Sequence, residues 1–224
     1  MKVAVLSVVY AESWWSHTVD SLKRLPPAVD VYYVDRQGVG SLAEAFNRGF
    51  RESTLQRYDY VWFVTNVTFR GRVLNTLVET ITQQGWCAVH PAFKSDHLFL
   101  RQDSTIHGTG DVETPYLEFT APLVHAPTFL SHPLDEAMPY VGHDLDWCYR
   151  VREHGERVGV CRQVSVGHSY LRNLTDAESA ITARRAELRR AAEQPTLDRL
   201  VEKYGEGWRK KLYGPGPRAA RAPR

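Results

Sequence analysis

The residues best suited to chemistry lie in Leu134-Asp135-Glu136 and in the run Tyr140-Val141-Gly142-His143-Asp144-Leu145-Asp146-Trp147-Cys148-Tyr149-Arg150-Val151-Arg152-Glu153-His154-Gly155. Gly142 closes a loop where a helix begins, so the Asp144 carboxylate stands at the helix mouth and can face a cleft. Asp146 serves the first turn, where open N–H groups favour negative charge, and Arg150 lies four residues further along the same face. A capped amphipathic helix with one internal ion pair explains one of these acids well. It explains the cluster His143-Asp144-Leu145-Asp146 poorly.

Three further constellations deserve the same scrutiny. Asp35-Arg36-Gln37-Gly38-Val39-Gly40-Ser41 is a polar, glycine-rich break that runs into a helix with Ser41 as its N-cap. An acid there can accept hydrogen bonds from a base or ribose, and a helix N-terminus attracts phosphate. An ordinary strand-to-helix turn has the same composition. Phe63-Val64-Thr65-Asn66-Val67-Thr68-Phe69 occupies the place where a site binding a nucleotide diphosphate through a divalent cation offers carboxylates, because hard cations prefer anionic oxygen. Thr65, Asn66 and Thr68 offer neutral oxygens only. Val164-Ser165-Val166-Gly167-His168-Ser169-Tyr170 delivers a histidine whose value as a ligand depends on its neighbours.

These residues need elements to position them. Apolar runs rich in Val, Tyr, Trp and Phe predict strands over Val3 to Tyr10, Val31 to Asp35, Tyr60 to Val64, Cys87 to His90, Leu117 to Val124 and Val158 to Cys161. Between them, the patterning predicts helices over Ser13 to Leu25, Ser41 to Ser53, Gly71 to Gln84 and Asp144 to His154, with stops at Pro26-Pro27, Gly85 and Gly155. Strands alternating with helices imply βαβ units and a mostly parallel sheet covered on both faces. In such sheets the ligand crevice lies beyond the carboxyl ends of the strands, which singles out residues 10–12, 35–40 and 65–68.

Composition bounds the rest. The 224 residues are 43% hydrophobic and 24% charged, which excludes disordered, collagenous and coiled-coil classes. Cys87, Cys148 and Cys161 have no paired or metal-like spacing and read as buried thiols rather than a disulfide framework. The apolar run near the start is too short to span a bilayer, and the expectation is a cytoplasmic protein without a transmembrane segment. Charge is uneven: residues 171–224 hold 13 Lys/Arg and 7 Asp/Glu, a net charge of +6, which leaves −4 for residues 1–170. Arg209 to Arg224 contains six basic residues and no acid among its prolines and glycines. That end is either a solubilising tail or an arm for a polyanion. The expected organisation is a core over residues 1–170, a helical extension over 171–212 packed on it, and a flexible basic tail over 213–224.

The ordered set of features resembles the family 2 glycosyltransferases of the GT-A fold, over about residues 3–208. The opening strand, Asp35 at the end of strand two, and the helix Ser41-Leu42-Ala43-Glu44-Ala45-Phe46-Asn47-Arg48-Gly49 with its Asn-x-Gly ending carry the first half of the likeness. Asp135-Glu136, the Asp-x-Asp helix start with Arg150 and Gly155, the late His168, and Lys203-Tyr204-Gly205 with Trp208 carry the second. Two positions depart from the pattern: the DxD place reads Thr65-Asn66-Val67, and His143 stands where the family usually carries an acid.

The resemblance implies a GT-A-like (Rossmann-like) mostly parallel sheet flanked by helices, with a C-terminal helical extension. It implies an inverting hexosyl or pentosyl transfer from a nucleotide-sugar donor to a hydroxyl acceptor. Tyr10 and Glu12 would line the base or ribose pocket, Asp35 would accept from the nucleoside, and Asn66 and Asp146 would complete the donor site. Asp144 would be the general base, worth roughly 10² to 10⁴ in rate. His168 would be a ligand for a divalent ion, Mn or Mg, bridging the diphosphate. The acceptor would be a saccharide, as in a cell-surface glycan, or a hydroxymethylated DNA base. A noncatalytic nucleotide- or nucleic-acid-binding protein on the same fold is the alternative.

Overall fold

In the computed structural model, residues 1–9, 12–35, 40–93, 110–138, 141–168 and 176–213 are described. Tyr10, residues 36–39 and 214–224, and the side chains of Glu12 and His168 lie outside them. The strands are β1 (Val3–Val9), β2 (Asp30–Asp35), β3 (Tyr60–Val64), β4 (Val67–Thr68), β5 (Ala88–Phe93), β6 (Val112–Glu113), β7 (Leu123–His125) and β8 (Val158–His168). The helices are α1 (Glu12–Leu22), α2 (Leu42–Glu52), α3 (Val73–Gln84), α4 (Ala126–Ser131), α5 (His143–Glu153), α6 (Asp176–Tyr204) and α7 (Trp208–Tyr213).

The strands form one mixed sheet in the order β2-β1-β3-β7-β5-β8-β4, with β6 paired to β8. β2, β1 and β3 run parallel, as do β5 and β8, while β7 is inserted antiparallel between β3 and β5. Alternation along the strands shows both faces covered. Val61 and Phe63 enter a core with Phe46, Phe50, Phe119, Phe129 and Trp147, whereas Trp62 and Val64 enter the opposite core with Leu74, Leu77, Ile81 and Trp86. α2 approaches the sheet at Gly49, where a Cβ would lie 2.4 Å from Val34 and 3.0 Å from Leu6. The Asn-x-Gly ending therefore serves packing: Asn47 is buried and pairs with the Leu134 carbonyl at 2.8 Å and the Leu134 N–H at 3.0 Å.

One predicted strand is corrected. Leu117 to Val124 is strand only from Leu123. The segment before it meets β3 through carbonyls: Thr65 N–H donates to Thr120 at 2.8 Å and Phe63 N–H to Pro122 at 3.0 Å. β8 runs seven residues beyond its expected end, to His168. Among the described residues no helix is long and apolar enough to cross a membrane.

Candidate functional site

The parallel registers carry the ends of three strands to one edge. Val9 pairs with Asp35, and Ser7 with Val64, so the end of β1, Asp35 and the Thr65-Asn66 turn stand side by side. Ser41 caps α2 as expected, its hydroxyl accepting from Glu44 N–H at 2.9 Å. The Thr65-Asn66 turn is sharp, with Asn66 in the left-handed region at φ +48°, a conformation that asparagine tolerates better than most residues. Immediately after it, β4 pairs with β8, and Val67 opposes His168. The backbone thus brings the DxD place and the late histidine together.

α5 begins after Gly142, whose φ of +83° favours glycine and where a Cβ would come within 3.0 Å of the Thr196 methyl. His143 turns inward, buried, with Nδ1 3.2 Å from the Met138 carbonyl oxygen. Asp144 stays partly exposed at the helix mouth, and one of its oxygens accepts the Leu145 N–H at 2.9 Å. A second acid with no motif in the sequence, Glu118, feels the Asp144 charge. Leu117 N–H reaches the Cys148 sulfur at 3.2 Å, and Phe119 packs on Trp147 with ring centroids 5.1 Å apart, so Glu118 is held against the first turns of α5. Burial, together with the Asp144 charge, pushes the Glu118 carboxyl up to about 8, and Arg189 of α6 opposes that rise. Its signal in the sequence was a lone acid inside the apolar run Tyr116-Leu117-Glu118-Phe119.

Asp146 requires a correction. Its side chain is fully buried, and its oxygens accept from Arg150 Nε at 2.8 Å, from Tyr204 at 2.6 Å and from Lys203. Those partners occupy the carboxylate and leave it no face toward a donor. Lys203 also bridges to Asp135 at 3.0 Å, and Arg199 lies 3.5 Å from the same carboxylate. Burial works against ionisation of Asp135, but the Lys203 bond, the Ala137 N–H and the nearby positive charges hold its carboxyl below the ordinary value. Asp135, Asp146, Lys203 and Tyr204 together fasten α6 across α5. The three cysteines are free and buried, and burial raises all three thiols, Cys148 to about 12, so none is a ready nucleophile.

Among the described residues, those around Thr65 do not by themselves fit a resident divalent ion. Thr65 and Asn66 supply neutral oxygens, and among the described residues no group of three or more His, Cys, Asp or Glu could hold a metal. Val67 opposes His168 next to Asn66, and among the described residues the Thr65-Asn66 turn itself contributes only neutral oxygens.

The sequence matches no protein-family model and no curated protein. Solved structures do resemble it. TarS residues 1–349 from S. aureus superpose with a TM-score of 0.56 at 11% identity, over 93% of this chain and 74% of that one. A197 from STIV gives 0.54 at 13% identity, over 76% of this chain and 87% of that one. GalNAc-T7, crystallised with UDP, GalNAc and Mn2+, gives 0.52 at 11% identity, over 76% of this chain and 44% of that one. At such identity the likeness establishes architecture. The chain has a GT-A-like fold, with helices flanking a mixed, mostly parallel sheet.

Proposed function

We propose that the protein transfers a sugar from a nucleotide-sugar donor to a hydroxyl acceptor with inversion, and that Asp144 is the general base. The observation that carries this reading is the placement of Asp144. It is the one carboxylate of the Asp-x-Asp pair left partly exposed, at a helix mouth, while Asp146 is enclosed by its partners. Thr120 connects the Glu118 segment beside it to the Thr65 turn. A donor lying along the ends of β1, β2 and β3 would present its anomeric carbon toward α5. The acceptor oxygen would then attack that carbon as its proton passes to Asp144, and the bond to the diphosphate would break with its electron pair leaving on the nucleotide. GalNAc-T7 was crystallised with UDP and a TarS form with UDP-GlcNAc, which makes uridine donors the first to try.

Asp35 and Asn66 are proposed to line the donor site, with Tyr10 and Glu12 on the nucleoside side. A divalent ion, if one takes part, would arrive with the diphosphate and rely on its oxygens. The test is release of nucleoside diphosphate from a panel of nucleotide sugars, with Mn2+ and with excess chelator. Turnover of at least one donor that survives chelation is expected from the neutral oxygens at Thr65 and Asn66. Turnover that chelation abolishes and Mn2+ restores would contradict that account of the turn and return His168 to the role of ligand.

A further inference from the structure

We propose that Lys203 and Tyr204 are positioning residues for the transfer: from α6 they fix the first turn of α5 and so set where the Asp144 carboxylate stands. The proposal rests on the reading of Asp144 as the general base, and its geometry is independent of that reading. The turn is closed by the Asp146 N–H, which donates to the Gly142 carbonyl at 2.9 Å, and Asp144 lies midway between the two. α6 grips both of its ends. A Cβ built on Gly142 would lie 3.0 Å from Thr196 and 3.4 Å from Leu200, both buried. At the other end Tyr204 donates to Asp146 Oδ1 at 2.6 Å, Lys203 Nζ donates to the same oxygen, and Arg150 Nε donates to Oδ2 at 2.8 Å. Lys203 also donates to Asp135 at 3.0 Å, and the Asp135 carbonyl accepts the Met138 N–H at 3.0 Å, so the segment leading into α5 is tied to the same cation.

Apolar contacts alone let a helix slide or turn about its axis, because the hydrophobic effect has no direction. A fully buried carboxylate with three donors does not. Asp146 enters the interior, and residue 144 lies about 200° around the helix from it, so any rotation of the turn at Asp146 appears in full at Asp144. With side chains reaching about 5 to 6 Å from the helix axis, a rotation of about 10° carries the Asp144 oxygens by about 1 Å. A displacement of that size costs a reaction up to about 10²-fold in rate. An apolar cluster of the same volume would serve stability as well or better, which leaves orientation as the contribution of the buried acid and its donors.

The test uses the full chain as wild type, Tyr204→Phe, Lys203→Met, Lys203→Arg and Leu55→Ala, the last a truncation in the core where the chain after α2 meets α4. Tyr204→Phe keeps the ring and its packing on Tyr149, with centroids 5.0 Å apart, and so remains readable if Lys203→Met does not fold. Amide hydrogen exchange followed by NMR needs no activity. Loss of a donor to the charged carboxylate should speed exchange of the Asp146 amide about tenfold or more in Tyr204→Phe and Lys203→Met, relative to the amides of β1 and β3. Lys203→Arg should restore the protection, and Leu55→Ala should leave the wild-type ratio. An Asp146 amide as protected in Tyr204→Phe as in wild type overturns the proposal whether or not the enzyme transfers sugar. Nucleoside diphosphate release reads the catalytic consequence: kcat should fall by about 10- to 10²-fold in Tyr204→Phe with KM little changed, while Leu55→Ala, corrected for the fraction folded, keeps the wild-type kcat. A wild-type kcat alongside a freed Asp146 amide refutes the positioning role. A wild type that turns over no donor counts against the transfer reading and overturns the catalytic half of the proposal, and the exchange result still decides whether α6 fixes the turn.

Discussion

Asp144 and Asp146 are two residues apart, which on a helix turns them about 200° away from each other. One is therefore left partly exposed at the helix mouth and the other enters the interior, so two acids that look alike in sequence stand in opposite environments. The spacing revealed that a helix begins there, and it placed Asp144 correctly at the mouth. It could not reveal that Lys203 and Tyr204, nearly sixty residues on, would enclose Asp146, because burial depends on where a distant helix lands. Glu118 was missed for a related reason, since a single acid in an apolar run has no motif. Its protonation has a consequence for stability. The folded carboxyl keeps its proton to about pH 8, whereas the unfolded chain releases it near 4.5. The stability from this group is fully present below about 4.5, declines as pH rises through the window, and is lost above about 8. Glu118→Gln, which cannot ionise, should gain in melting temperature relative to wild type from about pH 5 to 8 and hold a constant difference beyond. Parallel thermal melts across that range check it, and a difference that is flat with pH contradicts it.

At the scale of elements, the strands over Val3 to Val9, Asp30 to Asp35 and Tyr60 to Val64 were legible because apolar runs bounded by turn residues have few other uses. Leu117 to Val124 was not legible because its first half bonds to α5 and β3 rather than in a regular ladder: Leu117 N–H goes to the Cys148 sulfur and the Thr120 carbonyl to Thr65 N–H. The extension was expected as helix, and its anchoring becomes clear from α6. Thr196, Leu200 and the α7 residues Trp208 and Leu212 are buried, and Arg152 Nη2 donates to the Leu212 carbonyl at 3.0 Å. Lys203 is the pivotal ionic contact, serving Asp135 and Asp146 together. Lys203→Met removes one partner of a buried pair and leaves Asp146 with its charge less compensated, a loss on the order of 3 kcal/mol. Urea unfolding should show a lower midpoint of that size with the slope unchanged. A midpoint equal to wild type would mean that Arg150 and Tyr204 suffice for Asp146.

For the molecule as a whole, the charge asymmetry read from the sequence acquires a location in α7, where Arg209, Lys210 and Lys211 are exposed while Trp208 and Leu212 face the core. If the acceptor is a polyanion such as duplex DNA, counterion release makes its affinity fall with salt, with a slope of about −0.9 per phosphate contact. Truncation after Tyr213 removes Arg218, Arg221 and Arg224 and should flatten that slope by up to about three units while sparing donor hydrolysis. A neutral oligosaccharide acceptor should show no such change, so parallel salt titrations with hydroxymethylated DNA and the oligosaccharide assign the acceptor class. The central claim, that this GT-A-like fold carries a base-assisted sugar transfer at Asp144, is tested most directly by Asp144→Asn. Nucleoside diphosphate release and donor binding are measured on the same preparation. The account predicts a loss of turnover of about 10²-fold or more with donor affinity and melting temperature nearly unchanged. Wild-type turnover in the Asp144→Asn protein would contradict it.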